Sequence, residues 1–261
     1  HEEYPFDHFS ESTAPAGVSM APLFAAEWEQ RGQKCAYAHI AKGGVSILHY
    51  FNDSMIEQYN QRMEEYSKQQ GTAFAKIEPK KMWQGASAYF DQKVADFFAD
   101  AEKRFAEEDL SVKAFVWCQG ESDAAKSREQ YGICLEILWE HLRAIGFTHF
   151  FCVRIGFWGT APKKIHEIMQ AQEDFCRDHE ACYMITRAMS WMAHPSADGT
   201  EWFAVEPREE YCECRDSYFG FKNHHINEKG FALVARRMAD NLIRVLREEK
   251  EPLLEEEPVS K

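Results

Sequence analysis

Two adjacent glycines stand between an apolar run and a helical pattern, where they could bind an anion. Gly43 and Gly44 follow the segment Lys34–Ile40. Backbone N–H groups at such a turn can point at a negatively charged oxygen, as an oxyanion hole requires. The loop is not a phosphate-binding loop, because it matches neither GxxxxGK[ST] nor GxGxxG. A tight turn that binds no ligand is the alternative interpretation.

A second candidate group is the QGE sequence that contains Gln119 and Glu121, directly after the apolar run Val112–Cys118. A carboxamide and a carboxylate at the end of a buried strand lose hydration, which is costly unless they are paired or functional. We therefore predict that Glu121 is functional. Helix capping by Ser122 or Asp123 is the alternative for the residues that follow.

A third group is the histidine pair His224 and His225, just before the last amphipathic stretch. An imidazole titrates near neutral pH and suits a general base. An ordinary surface or core histidine is the alternative. The nearby Cys212-Glu213-Cys214 has poor spacing for zinc, and no second cysteine pair follows it. We therefore predict neither a metal nor a cofactor.

The positions of the strands determine whether these groups can lie close together, because ligands of open α/β sheets bind at the carboxyl ends of the strands. Short apolar runs with few polar interruptions are typical of strands that are buried on both faces. The sequence predicts four such strands: Lys34–Ile40, Val112–Cys118, Thr148–Ile155 and Cys182–Thr186.

Helical patterns, with apolar residues three and four positions apart, separate these runs. They predict six helices: Pro22–Arg31, Asp53–Gln69, Ser87–Glu108, Tyr131–Ile145, Ala161–His179 and Asn227–Glu249. The alternation of helices and strands predicts an α/β fold, a three-layer α/β/α sandwich with a mainly parallel, flavodoxin-like sheet.

The start of the sequence departs from this pattern. The segment 1–18 is irregular and a helix follows it, whereas a doubly wound sheet normally starts with a central strand. Either that first strand lies upstream of His1, or something else fills its place in the sheet. Residues 1–250 are predicted to form a single domain, and residues 251–261 a frayed, solvated acidic tail.

The amino-acid composition limits the classes of binding partner that we expect for this protein. The 261 residues include 45% hydrophobic and 28% charged side chains and carry a formal net charge of −13, without a basic cluster. A duplex nucleic acid needs a basic face, so no nucleic-acid partner is expected. No run reaches the roughly 20 apolar residues that span a bilayer. Eight cysteines are too few for a disulfide scaffold and, with no signal peptide in this sequence, favour a cytoplasmic setting.

Three segments together carry a resemblance to a known family. KGGVSI, WCQGESDA and HINEKG, in this order and spacing, resemble blocks of the SGNH hydrolases. Within that family, the segments resemble those of carbohydrate esterases similar to sialate O-acetylesterase and acetylxylan esterase. The similarity covers roughly Ser19 to Ala239, and the combination of WxQGExD with a late HxxxxG is fairly specific.

The resemblance implies a role for each candidate residue. In this family a serine attacks the ester carbonyl, a late histidine takes its proton, and a carboxylate orients the histidine. By position, His225 is the base, because Gly230 stands five residues later. Gly43 or Gly44 would donate a backbone N–H to the oxyanion. Gln119 lines the same pocket, and Glu121 matches the QGE glutamate.

The sequence departs from the family at two points. No GQSN or GDS block occurs, so we expect the nucleophilic serine upstream of His1, with Ser19 and Ser10 as weak substitutes. Many members also place an aspartate three residues before the histidine, where Lys222 stands here. The orienting carboxylate is then Glu121 or, as second choice, Asp216.

These features predict a carbohydrate O-acetylesterase whose substrate is an O-acetylated sugar. One alternative is a non-catalytic carbohydrate-binding or scaffold protein on the same fold, and another is an SGNH esterase for a non-carbohydrate ester. Arg154 and Arg187 stand near strand ends and could bind the carboxylate of an acidic sugar such as sialic acid. Ion pairs with the protein's own carboxylates are the alternative for both.

Overall fold

The fold is α/β with a three-stranded parallel sheet. The computed structural model describes residues 20–40, 44–78, 86–156, 162–192, 194–195, 202–203 and 228–255. The strands lie in the order β1 (Ala114–Trp117), β2 (His149–Val153) and β3 (Cys182–Thr186). Phe115 pairs with Phe150, and Phe150 with Cys182. Three of the four predicted strands are therefore confirmed.

Seven α-helices occur in the described part of the chain, and they include all six that the sequence predicts. The additional helix is a single short turn after β3. Their bounds are α1 (Met20–Gln30), α2 (Asp53–Gln70), α3 (Ala86–Arg104), α4 (Arg128–Ala144), α5 (Pro162–Asp178), α6 (Ala188–Met192) and α7 (Glu228–Leu246).

Local signals explain where two of these helices begin. The Asn52 side chain accepts a hydrogen bond from the Met55 N–H and caps α2. Ser127 and Gln130 form a reciprocal capping box at the start of α4. Each cap satisfies N–H groups that have no partner within the helix.

Successive strand residues contribute to two separate apolar clusters. Phe150 and Cys152 of β2 pack with residues of α2, α3, α4 and α5. Phe151 and Val153, which point the opposite way, pack with residues of α1, α6 and α7. Alternating side chains of a strand face opposite sides of a sheet, so helical residues contact both faces of β2. This burial explains why the strands are nearly uniformly apolar.

The prediction of a strand over Lys34–Ile40 is wrong. The described residues 33–40 have no regular secondary structure. Ala36 and Ala38 pack against Ala101 and its neighbours near the end of α3. Strand structure requires a hydrogen-bonded neighbour, and within the described chain β1 pairs only with β2. The segment is only partly buried at residues 36–40, with Lys34 and Cys35 exposed, and no described strand lies beside it.

Two very short strands form a separate ladder that the sequence did not predict. β4 (His194–Pro195) pairs antiparallel with β5 (Trp202–Phe203). Two 3₁₀ turns are more important for the candidate site. They are the turns Ile47–Tyr50, after the glycine pair, and Glu121–Asp123, after β1.

The beginning of the acidic tail is bound to the domain. Asn241 of α7 accepts a hydrogen bond from the Leu253 N–H at 2.7 Å and donates to the Leu253 carbonyl at 3.1 Å. The Glu255 carboxylate accepts hydrogen bonds from the Thr186 hydroxyl and the Arg187 N–H. These contacts hold residues 251–255 at the end of β3, while the Glu251 and Leu253 side chains are exposed.

Candidate active site

The structure brings the glycine loop and the QGE loop together. The Gln119 carboxamide, just past the end of β1, donates to the Val45 carbonyl at 2.9 Å. It also donates to the Asp123 carboxylate at 2.8 Å. Both hydrogens of its NH₂ group are therefore bound within the protein. Gln119 connects the loop that follows β1 to the loop that contains Gly44.

Asp123 strengthens this connection. Its side chain is fully buried and accepts hydrogen bonds from the Ser46 hydroxyl at 2.5 Å and the Ile47 N–H at 2.7 Å. Lys126 adds an ion pair at 2.9 Å. A buried carboxylate is costly unless it is paired and hydrogen-bonded, and here donors surround both oxygens.

Glu121 has a different environment. Its half-buried carboxylate accepts a hydrogen bond from the Gly120 N–H at 3.1 Å. Burial raises the pKa of this carboxyl, the Asp123 charge raises it further, and the local backbone N–H groups oppose the shift. No cationic side chain of the described residues pairs with Glu121. A half-buried carboxylate with a raised pKa and no cationic partner among the described residues is a candidate functional group.

Buried polar side chains hold the backbone of the QGE loop by hydrogen bonds. The Tyr131 hydroxyl donates to the Gln119 carbonyl at 2.7 Å, and Gln172 donates to the same carbonyl at 3.0 Å. The Trp117 indole donates to the Tyr131 oxygen at 3.2 Å. Burial raises the pKa of Tyr131 well above its usual value, so the hydroxyl remains a donor. Glu121 therefore extends from a firmly held backbone.

Gly44 adopts the conformation that a sharp turn requires. Its φ of +72° lies in the left-handed region that favours glycine, and no atom lies within 4 Å of the position of a Cβ. The next residues, Val45 and Ser46, are the two that Gln119 and Asp123 bind. The turn therefore lies next to the QGE loop, although Lys34–Ile40, from which this proximity was predicted, is not a strand.

Arg154 and Arg187 pair with the protein's own carboxylates. Both donate to the Glu173 carboxylate, Arg154 at 2.9 Å and Arg187 with two nitrogens at 2.7 and 2.8 Å. Arg154 also donates to the Ser190 hydroxyl, and Arg187 donates to the Glu255 carbonyl. Of the two interpretations from the sequence, the structure shows internal ion pairing.

Several predicted residues lie outside the described part of the chain. They are the general base, one oxyanion glycine, the second-choice carboxylate and the weak substitutes for the nucleophile: His225, Gly43, Asp216, Ser10 and Ser19. The described structure brings Gln119 and Gly44 together and places Glu121 in the same loop as Gln119. The distance from Glu121 to the histidine stays a prediction.

Sequence reasoning missed that Asp123 and Ser46 are central to the connection between the QGE loop and the glycine loop. Asp123 was considered only as a helix cap, yet it contacts a loop 77 positions away. A weak signal was available, because the aspartate follows a predicted buried strand within the same motif as Gln119. Its burial depends on the packing of both loops and could not be derived from local pattern.

Comparisons with known proteins do not extend the resemblance. No family model matches the chain, and no curated protein or solved structure matches it significantly. Across the described ranges, no three histidine, cysteine, aspartate or glutamate side chains form a group that could hold a metal ion. None of the helices described for this chain combines the length and hydrophobicity needed to cross a membrane.

Proposed function

We propose that this chain belongs to a carbohydrate O-acetylesterase of the SGNH type, which removes acetyl groups from a sugar by acyl transfer to serine. One observation carries the proposal: Gln119 and Asp123 bind the loop that begins at Gly44. A potential oxyanion loop and a carboxylate loop thereby become neighbours beyond the carboxyl end of β1. Ligands of open α/β sheets bind at this edge.

The proposed fold is a three-layer α/β/α sandwich with one more strand beside β1. The two apolar clusters on opposite faces of the strands support the three layers. Support for the extra strand comes from β1, which pairs on one side only among the described residues. In the proposal, a segment outside the present sequence supplies this strand and, in the loop that follows it, the nucleophilic serine.

The reaction proceeds in two acyl-transfer steps. The serine oxygen attacks the acetyl carbonyl while His225 takes the hydroxyl proton, and the proton then passes to the departing sugar oxygen. Water attacks the acetyl-serine with His225 again as base, which releases acetate and restores the serine. Glu121 accepts a hydrogen bond from the other imidazole nitrogen, and Asp216 is the second candidate for this part.

The glycine loop stabilises the charge that develops on the carbonyl oxygen. Backbone N–H groups of Gly43 and Gly44 donate to the oxyanion in this proposal. Gln119 was predicted to line the same pocket. Because both hydrogens of its NH₂ group are already donated to Val45 and Asp123, we propose that Gln119 acts by holding the glycine loop.

The substrate is proposed to be an O-acetylated sugar without a carboxylate. Arg154 and Arg187 are the candidates from the sequence for binding an acidic sugar, and Glu173 pairs with both. Turnover of an O-acetylated neutral sugar should therefore exceed turnover of an O-acetylated sialic acid. An enzyme for a different ester would instead prefer longer acyl or aryl groups, so a series of acyl lengths separates the two esterases.

The decisive experiment measures hydrolysis of p-nitrophenyl acetate by the full-length gene product and its His225→Ala variant. The variant should lose at least about a thousandfold in kcat, because the serine then has no base. His166→Ala, at an exposed histidine of α5, is the matched control and should retain full activity. Undiminished activity in His225→Ala contradicts the mechanism. An inactive full-length protein that binds glycans supports the non-catalytic alternative.

A further inference from the structure

Asp123 is the most highly connected carboxylate at the candidate site, and the mechanism above gives it no part. Only 1% of the residue is exposed. Four donors from three parts of the chain surround its two oxygens: Ser46, Ile47, Gln119 and Lys126. Two of them belong to the glycine loop, one follows β1, and one lies just before α4.

These contacts determine where the glycine loop lies. The Ser46 hydroxyl and the Ile47 N–H both bind Asp123, and the Val45 carbonyl accepts from Gln119, which itself binds Asp123. Val45, Ser46 and Ile47 are thus held by the Asp123 carboxylate and by Gln119, which is hydrogen-bonded to it. Gly44 directly precedes these residues, so any displacement of Val45 also moves the amide of Gly44.

We propose that Asp123 is a positioning residue, which fixes the residues after Gly44 so that the backbone N–H of Gly44 is preset for the oxyanion. This inference rests on the proposed esterase function. Preset donors stabilise the transition state without reorganisation during the reaction. A displacement of about 1 Å can cost on the order of a hundredfold in rate. Asp123 itself contacts no reacting atom in this scheme.

Lys126 makes the arrangement possible without a buried, unpaired charge. The half-buried ammonium group lies 2.9 Å from an oxygen of Asp123. Removal of one partner from a buried ion pair leaves the other uncompensated. The pair therefore allows a full negative charge, which attracts the Ser46 and Ile47 donors more strongly than a neutral acceptor does.

The test compares Asp123→Asn with Asp96→Asn in the full-length gene product. Asparagine is isosteric, but its NH₂ group would face donors that need an acceptor. With p-nitrophenyl acetate, kcat should fall on the order of tenfold to a hundredfold while KM changes less than about twofold, because the loss is confined to the transition state. Asp96 is exposed on α3 and accepts only from Gln92 in the described structure, so its variant should match the unsubstituted protein.

A second variant and a second measurement keep the inference testable if Asp123→Asn folds poorly. Ser46→Ala removes one donor and leaves the Asp123 contact with Ile47, so it should lower kcat only severalfold. Amide hydrogen exchange of Ile47 reports directly on the loop and needs no activity. In the 261-residue chain, this exchange should be at least about tenfold faster in Asp123→Asn, because the N–H loses its charged acceptor.

The outcomes separate the two proposals. Faster exchange at Ile47 together with a lower kcat and an unchanged KM supports positioning by Asp123. Unchanged exchange, or faster exchange with full activity in either variant, overturns it. An unsubstituted full-length protein without esterase activity refutes the proposed function alone, because exchange at Ile47 still shows whether Asp123 fixes the loop.

Discussion

Replacement of Gly120 by alanine tests how closely the turn after β1 is packed. A Cβ atom at this position would lie 2.7 Å from Cγ2 of Ile168 and 2.9 Å from Cδ1 of Ile155. Both isoleucine side chains are fully buried, and the Tyr131 hydroxyl would lie 3.3 Å from the same Cβ. Atoms that close must move apart, in an interior that has little free volume.

The expected cost follows from this geometry. Gly120→Ala should lower the free energy of unfolding by about 1–3 kcal/mol, the usual cost of an extra methyl group in a well-packed core. Gly132→Ala is the matched control. Gly132 lies within α4, and no atom lies within 4 Å of the place that an alanine methyl group would occupy. Alanine there should stabilise the protein by about 0.5–1 kcal/mol.

Urea unfolding, followed by circular dichroism, measures both changes. The midpoints should shift in opposite directions at an unchanged m-value. Ile155→Val removes the Cδ1 atom that the new methyl group would meet. This substitution should therefore lower the free energy of unfolding less in the Gly120→Ala variant than in the unsubstituted protein. If Gly120→Ala unfolds at the same urea concentration as the unsubstituted protein, or a higher one, close packing is not the reason for glycine in the QGE motif.

Two further predictions concern a carboxylate of the site and the tail. Burial raises the pKa of Glu121, so its stability contribution falls as the pH rises from the ordinary glutamate value to the folded one, by about 1.4 kcal/mol per pKa unit. Glu121→Gln should therefore be more stable than the unsubstituted protein at pH 7, with no such gain near pH 4, in urea unfolding. Asn241→Ala should cost about 1–3 kcal/mol, because the Ile185 carbonyl and Leu253 lose their partner. Trypsin should then cut after Lys250 faster, and an unchanged cleavage rate would contradict the proposed binding of the tail.

The helices and three strands could be predicted because their signals are local. Amphipathic spacing identified α2 and α7, and short apolar runs identified β2 and β3. The segment Lys34–Ile40 has the same apolar character and is not a strand, because strand structure also depends on a neighbour that sequence pattern does not reveal. The contacts of residues 251–255 were missed for a related reason: Asn241 reads as an ordinary polar residue until α7 is placed against β3.

The candidate site was predictable only in outline. Lys34–Ile40 is not a strand, so the rule that ligands bind at the carboxyl ends of strands led to the glycine loop and Gln119 as neighbours from a premise that holds only for β1. It could not distinguish a carboxamide that donates to substrate from one that donates to Val45 and Asp123. It also left open whether Arg154 binds a ligand or Glu173, since both choices satisfy a guanidinium equally well.

The two acidic residues of the QGESD sequence, Glu121 and Asp123, have different surroundings and are proposed to have different roles. Asp123 is surrounded by donors, and its charge is fully compensated inside the protein. Glu121, two positions earlier, has only backbone donors among the described residues, and its pKa is raised. A fold selected for stability alone would gain by replacing such a carboxylate, whereas a fold that must orient an imidazolium needs it ionised and available. The contrast supports our two proposals, that Asp123 holds the loop and that Glu121 contacts His225.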